Sequence, residues 1–159
     1  MNEITGSYAA PQGKFALVAS RFNEVVVDRL VSGAIDALVR HGVKPEAVEV
    51  FRVPGALEIP LVASRAAKSG KYVAVVWLGA VIRGATAHFD IVAHGSAQGI
   101  ARVALESEIP VLNAILTTDT VEQALDRAGA KAGNKGFEAG MAALEMVDLL
   151  RRMEAGNAR

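Results

Sequence analysis

Val73-Ala74-Val75-Val76-Trp77-Leu78-Gly79-Ala80-Val81 is apolar at nearly every position and lacks the polar alternation of a strand that faces water on one side. Such a run suits a strand buried on both faces of a parallel sheet. Just upstream, Leu57 to Lys68 reads as a helix stopped near Ser69-Gly70, and Val48 to Val53 as a strand broken by Pro54-Gly55. Farther back, apolar residues recur at 26, 27, 30, 31, 34, 35, 38 and 39, a helical period that ends at Gly42, with Asn23 as the expected N-cap. Phe15 to Ser20 precedes it as a short apolar strand. Downstream, a long helix is expected from about Thr86 to Glu106, ended by Pro110, then a strand over Val111 to Leu116. Thr120-Val121-Glu122-Gln123 has capping-box spacing and opens a helix to about Ala128. A glycine-rich break, Gly129 to Gly136, leads to a last helix from about Phe137 to Met153.

The order is βα four times plus one helix. It predicts an α/β fold, a three-layer α/β/α sandwich around a four-stranded parallel sheet, because right-handed crossovers return each strand in the same direction. Residues 1–13 read as an N-terminal arm, 14–154 as a single domain and 155–159 as a C-terminal tail.

Composition narrows the function classes. The chain has 159 residues, 17 basic and 17 acidic, and a formal net charge of zero. It is 52% hydrophobic but only 5% aromatic, with 29 alanines and 20 valines supplying most of the apolar content. That excess fits a membrane span or a large subunit interface. The longest apolar run, Val73 to Ile82 between Lys71 and Arg83, falls short of the roughly 20 residues a span needs. Met1 to Gly6 lacks the basic start and apolar stretch of a signal peptide. With no cysteine there is no disulfide, thiolate zinc site or thiol nucleophile, and evenly mixed charges argue against a nucleic-acid partner. The expectation is a soluble, cytoplasmic, self-associating domain.

Parallel sheets place ligands at the carboxyl ends of their strands, so the four strand ends form one candidate site. Arg21, Phe22 and Asn23 follow the first strand, and Pro54 to Glu58 follow the second. Phe22 reads as a core residue or as an aromatic stacker, Glu58 as a macrodipole partner or a ligand contact, and Arg21 as a surface cation. The third strand end carries the clearest signal. Gly84-Ala85-Thr86 lies where a helix begins, and free N–H groups there favour an anion. Thr86 either adds a hydrogen bond or caps the helix. His88 follows in the first turn, where the positive helix end favours a neutral imidazole able to move protons, or simply a side chain bonded to a neighbour. His41 reads as a helix C-terminal cation and His94 as a packing or interface residue.

Arg127, Lys131 and Lys135 flank the glycine-rich segment, as solvated charges or as a phosphate clamp suited to Arg's planar fork. The glycine spacing fits neither a Walker A loop nor a dinucleotide fingerprint, Ser96 is in no nucleophile elbow, and no His pair has metal-ligand spacing. An aromatic, an anion loop, a histidine and scattered cations are left. They suit two small molecules and proton transfer, with no metal or cofactor expected.

Arg21-Phe22-Asn23, the run Val53 to Pro60, the run Leu78 to Asp90 and the run Arg127 to Gly136 together resemble 6,7-dimethyl-8-ribityllumazine synthases, in the right order over residues 15 to about 150. The resemblance implies a flavodoxin-like topology and the penultimate step of riboflavin synthesis. In that step 5-amino-6-(D-ribitylamino)uracil and 3,4-dihydroxy-2-butanone 4-phosphate give the lumazine, phosphate and water. It implies that Phe22 stacks on the pyrimidine, that Ala56, Leu57 and Glu58 hold the ribityl chain, and that Ala80, Val81 and Ile82 meet the heterocycle. Ala85 and Thr86 are the implied phosphate loop and His88 the implied proton donor. Arg127 is the implied phosphate anchor and Lys135, nearby, an implied contact of the ribitylaminouracil, both reaching in from an adjacent subunit. Position 80 is often Thr in the family and is Ala80 here. Position 113 is often aromatic and is Asn113 here, which keeps a backbone or amide hydrogen bond to the pyrimidine but not the apolar wall. Asn113 also admits a paralogue that binds flavin or lumazine with little catalysis. The family forms rings of five, some members assemble twelve rings into a 60-subunit shell, and riboflavin synthase is an implied partner. Ala132 to Gly136 resembles the linker of shell-forming members. On this reading Gly95, Ser96, Ala97, Gly99, Ala101 and Ala104 let the long helix pack closely around a ring.

Overall fold

A computed structural model of the chain describes residues 1–157. Its elements are β1 (Lys14–Ser20), α1 (Glu24–Arg40), β2 (Val48–Val53), α2 (Ile59–Lys68), β3 (Tyr72–Ile82), α3 (His88–Ser107), β4 (Val111–Thr118), α4 (Val121–Arg127) and α5 (Lys135–Asn157), with a single 3-10 turn at Pro45–Ala47. The four strands form one sheet in the order β2-β1-β3-β4, and every pairing is parallel. This is the expected three-layer α/β/α sandwich with flavodoxin-like strand order.

The unbroken apolar run at 73–81 has a simple cause. β3 pairs with β1 on one side and β4 on the other, and both of its faces are covered. Alternate strand residues feed two separate cores. Phe15, Leu17 and Leu78 pack with Leu30, Leu38 and Leu144 under α1 and α5. Val18, Val75 and Trp77 pack with Ile59 and Ala63 on the opposite face, under α2 and α3.

Several boundaries differ from the sequence reading. The turn after β2 runs through Glu58, so α2 starts at Ile59 instead of Leu57. α3 starts at His88, leaving Thr86 outside it, and β4 continues to Thr118. α5 starts at Lys135 and runs on past Met153 to Asn157, while the last two residues of the expected tail, 158 and 159, lie outside the described residues. Asn23 stands at the N-cap position, yet its side chain does not cap α1. Its backbone is left-handed (φ 59°), and its amide donates instead to the Ala80 carbonyl at 2.8 Å. Thr120 caps α4 as expected by accepting from the Gln123 N–H at 3.1 Å, while the Gln123 side chain accepts from Asp119 N–H and not from Thr120.

The N-terminal arm is laid along α5. Ser7 N–H donates to the Asp148 carboxylate at 2.7 Å, and the Tyr8 ring meets His41 edge-on. That N–H, helped by the Arg152 guanidinium, holds the Asp148 carboxyl below the usual range.

At the amino end of the sheet, the Glu49 carboxylate accepts from Lys14 Nζ at 2.6 Å and from the Tyr72 hydroxyl at 2.5 Å. Burial first, then the hydrogen bond to Glu49 and its charge, push the Tyr72 hydroxyl up to about 12 from its ordinary 10.0. Because the folded value is the higher one, this hydroxyl's stabilisation is complete below pH 10.0 and is lost as pH rises towards about 12. Chemical unfolding between those limits therefore shows a fall in stability that is shallower in Tyr72→Phe, and equal slopes would remove Tyr72 as its source.

α3 is the least covered element. Only Ser96 and Val103 of its 20 residues are buried, and Ile91 and Leu105 face outward. Its small residues divide between two uses. A Cβ on Gly95 would lie 2.9 Å from the Leu57 side chain, and one on Gly99 would lie 2.7 Å from Pro60. Those two glycines thus serve packing within the chain, whereas Ala97 and Ala101 are exposed. No helix of the described residues is long and apolar enough to cross a membrane.

Candidate active site

The carboxyl ends of β1, β2 and β3 open into a cavity of about 480 Å³. It lies where β2 and β3 flank β1, the point at which the chain reverses its direction of travel across the sheet. The loop after β1 contributes Phe22 and Asn23, the turn after β2 contributes Gly55 to Glu58, β3 contributes Ala80 to Ile82, and α3 contributes His88 and Val92.

Phe22 is 69% exposed, which rules out the core reading of its ring. An aromatic side chain left in water at a cavity mouth is a stacking surface in search of a flat partner. Its pose is set by backbone. Phe22 N–H donates to the Pro54 carbonyl at 3.1 Å, and Arg21 N–H donates to Val53 at 2.8 Å, so the β1 and β2 ends are joined. Gly55 lies directly beside the ring. A Cβ there would come within 3.1 Å of Phe22 Cδ2 and 3.0 Å of Glu58 Oε2. Glycine at 55 lets the ring and the carboxylate both approach the turn.

Glu58 accepts from Gly55 N–H at 2.8 Å. This bond closes the Pro54–Glu58 turn across the start of α2, so the carboxylate is anchored by one oxygen and its remaining acceptor capacity faces the cavity mouth. Asn23 performs the matching task opposite. By donating to Ala80 O it ties the β1 loop to the end of β3, and the Ala80 carbonyl is already engaged by the chain itself.

The third loop is fixed at its root and open at its tip. Arg83 N–H donates to Thr118 O at 2.9 Å. Its guanidinium bonds Asp119 at 2.8 Å, approaches Asp90 at 3.6 Å and lies 4.1 Å over the Phe89 ring. The Asp119 hydrogen bond, chiefly, holds the Arg83 pKa above its ordinary value. Beyond this anchor, Gly84, Ala85 and Thr86 are exposed, and nothing of the chain comes within 4 Å of where a Gly84 Cβ would be. Backbone N–H groups here are open to an incoming anion. Thr86 Oγ1 takes only a long 3.5 Å bond from His88 N–H, and the exposed His88 side chain lines the cavity.

Ala85 and Thr86 border the cavity through His88 without lining it. Asn113 lines a different space of about 280 Å³ between β4 and α3, with His94 and Ser96, and its Oδ1 accepts from Ile115 N–H at 2.9 Å. Arg127 donates to its own helix at Gln123 O, 3.1 Å, and Lys135 pairs with Glu138 at 2.6 Å. Neither cation lines the cavity at the strand ends. His94 Nδ1 is 2.7 Å from Asp90 O and His41 Nδ1 is 2.7 Å from Ala37 O, each bonded to its own helix.

Sequence reasoning gave Gly55 no role of its own in this site, missed Val92 and assigned Asn23 another role. Only Gly55 had a visible signal, a glycine after Pro54 at a strand end with a carboxylate three residues on. Within one chain the arrangement offers an exposed aromatic ring, an anchored carboxylate, an imidazole and a loop with open backbone N–H groups, with Arg127 and Lys135 elsewhere. The family model described as 6,7-dimethyl-8-ribityllumazine synthase matches residues 12–151, nearly the whole chain.

Proposed function

The chain belongs to the 6,7-dimethyl-8-ribityllumazine synthase family, a family of riboflavin biosynthesis, and on that premise we propose that it catalyses the condensation that makes the lumazine. The substrates are 5-amino-6-(D-ribitylamino)uracil and 3,4-dihydroxy-2-butanone 4-phosphate, and phosphate and water are released. The observation that carries this reading is the exposed Phe22 ring seated on Gly55, across the same cavity from His88.

Phe22 supplies a face for the flat pyrimidine, with the backbone of Ala80, Val81 and Ile82 against its edge. Ala56, Leu57 and Glu58 hold the ribityl hydroxyls, for which the Gly55-anchored carboxylate is a fixed acceptor. Ala85 and Thr86 take the phosphate of the second substrate at the start of α3. The amine of one substrate then attacks the ketone of the other and a first water leaves. Loss of phosphate and tautomerisation give a second carbonyl, which the ribitylamino nitrogen attacks to close the ring with loss of a second water. Amines and ketones condense without help, so holding the two together provides most of the acceleration. His88 moves the protons that let water depart. Arg127, with Lys135 and Asn113, completes the site from a neighbouring subunit, since none of the three lines the cavity of its own chain.

Family membership implies oligomeric assembly in general. The finer reading is a pentamer of single-domain chains spanning 14–154, with the exposed α3 surface against a neighbour and the Ala132 to Gly136 linker favouring a 60-subunit shell. Its setting is the cytoplasm, with riboflavin synthase consuming the product. Native mass separates five, ten and sixty subunits, and a monomer would sink the shared-site reading. For the reaction, the two substrates mixed with the protein should give the lumazine's absorbance and green fluorescence. A rate no faster than the spontaneous one would overturn the assignment, and tight riboflavin binding alongside it would favour a flavin-binding paralogue.

A further inference from the structure

α3 opens without a cap. Its N-cap residue is Ala87, whose side chain can accept nothing, whereas Thr120 caps α4. The N–H groups of Gly84, Ala85, Thr86 and Ala87 find no acceptor among the described residues. The helix is also thinly packed, with Ser96 and Val103 its buried residues. An uncapped and little-buried helix end frays unless something else holds it.

Arg83 supplies that hold. Its backbone N–H donates to Thr118 O at 2.9 Å, and its Nε donates to the Asp119 carboxylate at 2.8 Å, so it is fastened to the end of β4. The same guanidinium then reaches the first turn of α3. Nη1 lies 3.6 Å from the Asp90 carboxylate, and the planar group lies 4.1 Å over the ring of Phe89, which packs on the α2/α3 core. Both contacts to α3 are made through side chains, so neither uses a backbone N–H. A capping residue would have taken N–H groups that an anion needs, and a brace from outside leaves them free. Arg83 is also the cation paired with both Asp90 and Asp119, two carboxylates that would otherwise stand uncompensated beside the loop. Exposed ion pairs of this kind add little to stability, so their effect is on placement.

We propose that Arg83 is a positioning residue for the reaction: its guanidinium braces the first turn of α3 against the end of β4 and so presents His88 and the free N–H groups of the 84–87 loop to the substrates. The inference rests on the reading of that loop as the phosphate site. It adds a residue that touches neither substrate and acts through the two groups that do.

The test is a kinetic series in the full-length, assembled protein. Arg83→Ala should raise the apparent constant for 3,4-dihydroxy-2-butanone 4-phosphate by about tenfold and lower kcat by about tenfold, the scale of a small misplacement at a site that works by orientation. The constant for the ribitylaminouracil should stay within about twofold, because Phe22 and Glu58 are held by the β1 and β2 ends. A folding defect would lower kcat alone, by reducing the active fraction, and that result would overturn the inference. Asp119→Ala separates a brace from a direct phosphate ligand. It takes a negative charge from beside the loop and frees the guanidinium, so an Arg83 that bound phosphate itself would bind it more tightly. The brace predicts the opposite sign, a rise of about threefold that vanishes in an Arg83→Ala background. A constant that is unchanged or lower in Asp119→Ala, or a rise that persists without Arg83, overturns the proposal. Should Arg83→Ala not assemble, Arg83→Lys keeps the charge but gives up the planar fork, and it must show the same selective rise of about threefold. A wild-type constant in Arg83→Lys would overturn the brace. A wild-type protein with no catalysed rate fails the proposed function and the brace together, whereas a catalysed rate with unchanged constants in Arg83→Ala fails the brace alone.

Discussion

Arg127→Ala raises the apparent constant for 3,4-dihydroxy-2-butanone 4-phosphate by about 100-fold, the equivalent of about 3 kcal/mol for two charge-assisted hydrogen bonds to one phosphate. In the free chain Arg127 spends a single N–H on the carbonyl of Gln123, which leaves most of its planar fork available. Nothing in that bond buries the guanidinium, so the substitution should assemble normally. The constant for the ribitylaminouracil is expected to stay within about threefold, because the stacking ring and the anchored carboxylate are on other elements. Arg127→Lys should recover only part of the loss, since a point charge keeps the attraction and gives up the bidentate geometry. Steady-state kinetics with each substrate varied in turn decides it. A wild-type constant in Arg127→Ala would remove the residue from phosphate binding.

His88→Ala has the opposite kinetic signature. It lowers kcat by about 100-fold, the lower end for a positioned acid–base group, while both apparent constants move by less than about threefold. The low end is expected because the amine and the ketone react unaided, and the protein's larger contribution is to hold them together. His88 opens α3, and alanine is at least as good a helix former, so the loss is chemical in origin and not a failure of the fold. Single-turnover rates with both substrates saturating isolate the step. An unchanged rate would assign proton transfer to another group at the cavity, and Glu58, held by Gly55 N–H, would be the next residue to replace.

Much of this was legible in the chain itself, for a reason that differs by element. β3 announced itself because a central parallel strand buries both faces and therefore has no polar alternation. Phe22, Glu58 and His88 came together from position alone, since each directly follows a strand that points the same way. The details that failed were those in which a side chain had a choice of partner. Asn23 followed by an apolar helix looks like a cap, and only the approach of β3 offers its amide the Ala80 carbonyl. The small residues of α3 look like a docking stripe, and its two glycines prove to seat Leu57 and Pro60 of the same chain. Propensity and spacing describe neighbours along the chain; they are blind to a competing partner that the fold brings in.

The sequence alone therefore determined the α/β order, the parallel sheet, the two-sided burial of β3 and the set of strand ends at which chemistry collects. These follow from hydrophobic periodicity, which is local and survives in one dimension. The tertiary structure alone decided that Phe22 stands in solvent, that Asn113 lies outside the cavity at the strand ends, and that Asn134 binds α1 across 105 residues of sequence. Each of those depends on a hydrogen bond or a close approach between distant segments, and such a contact exists only once packing has fixed where both segments lie.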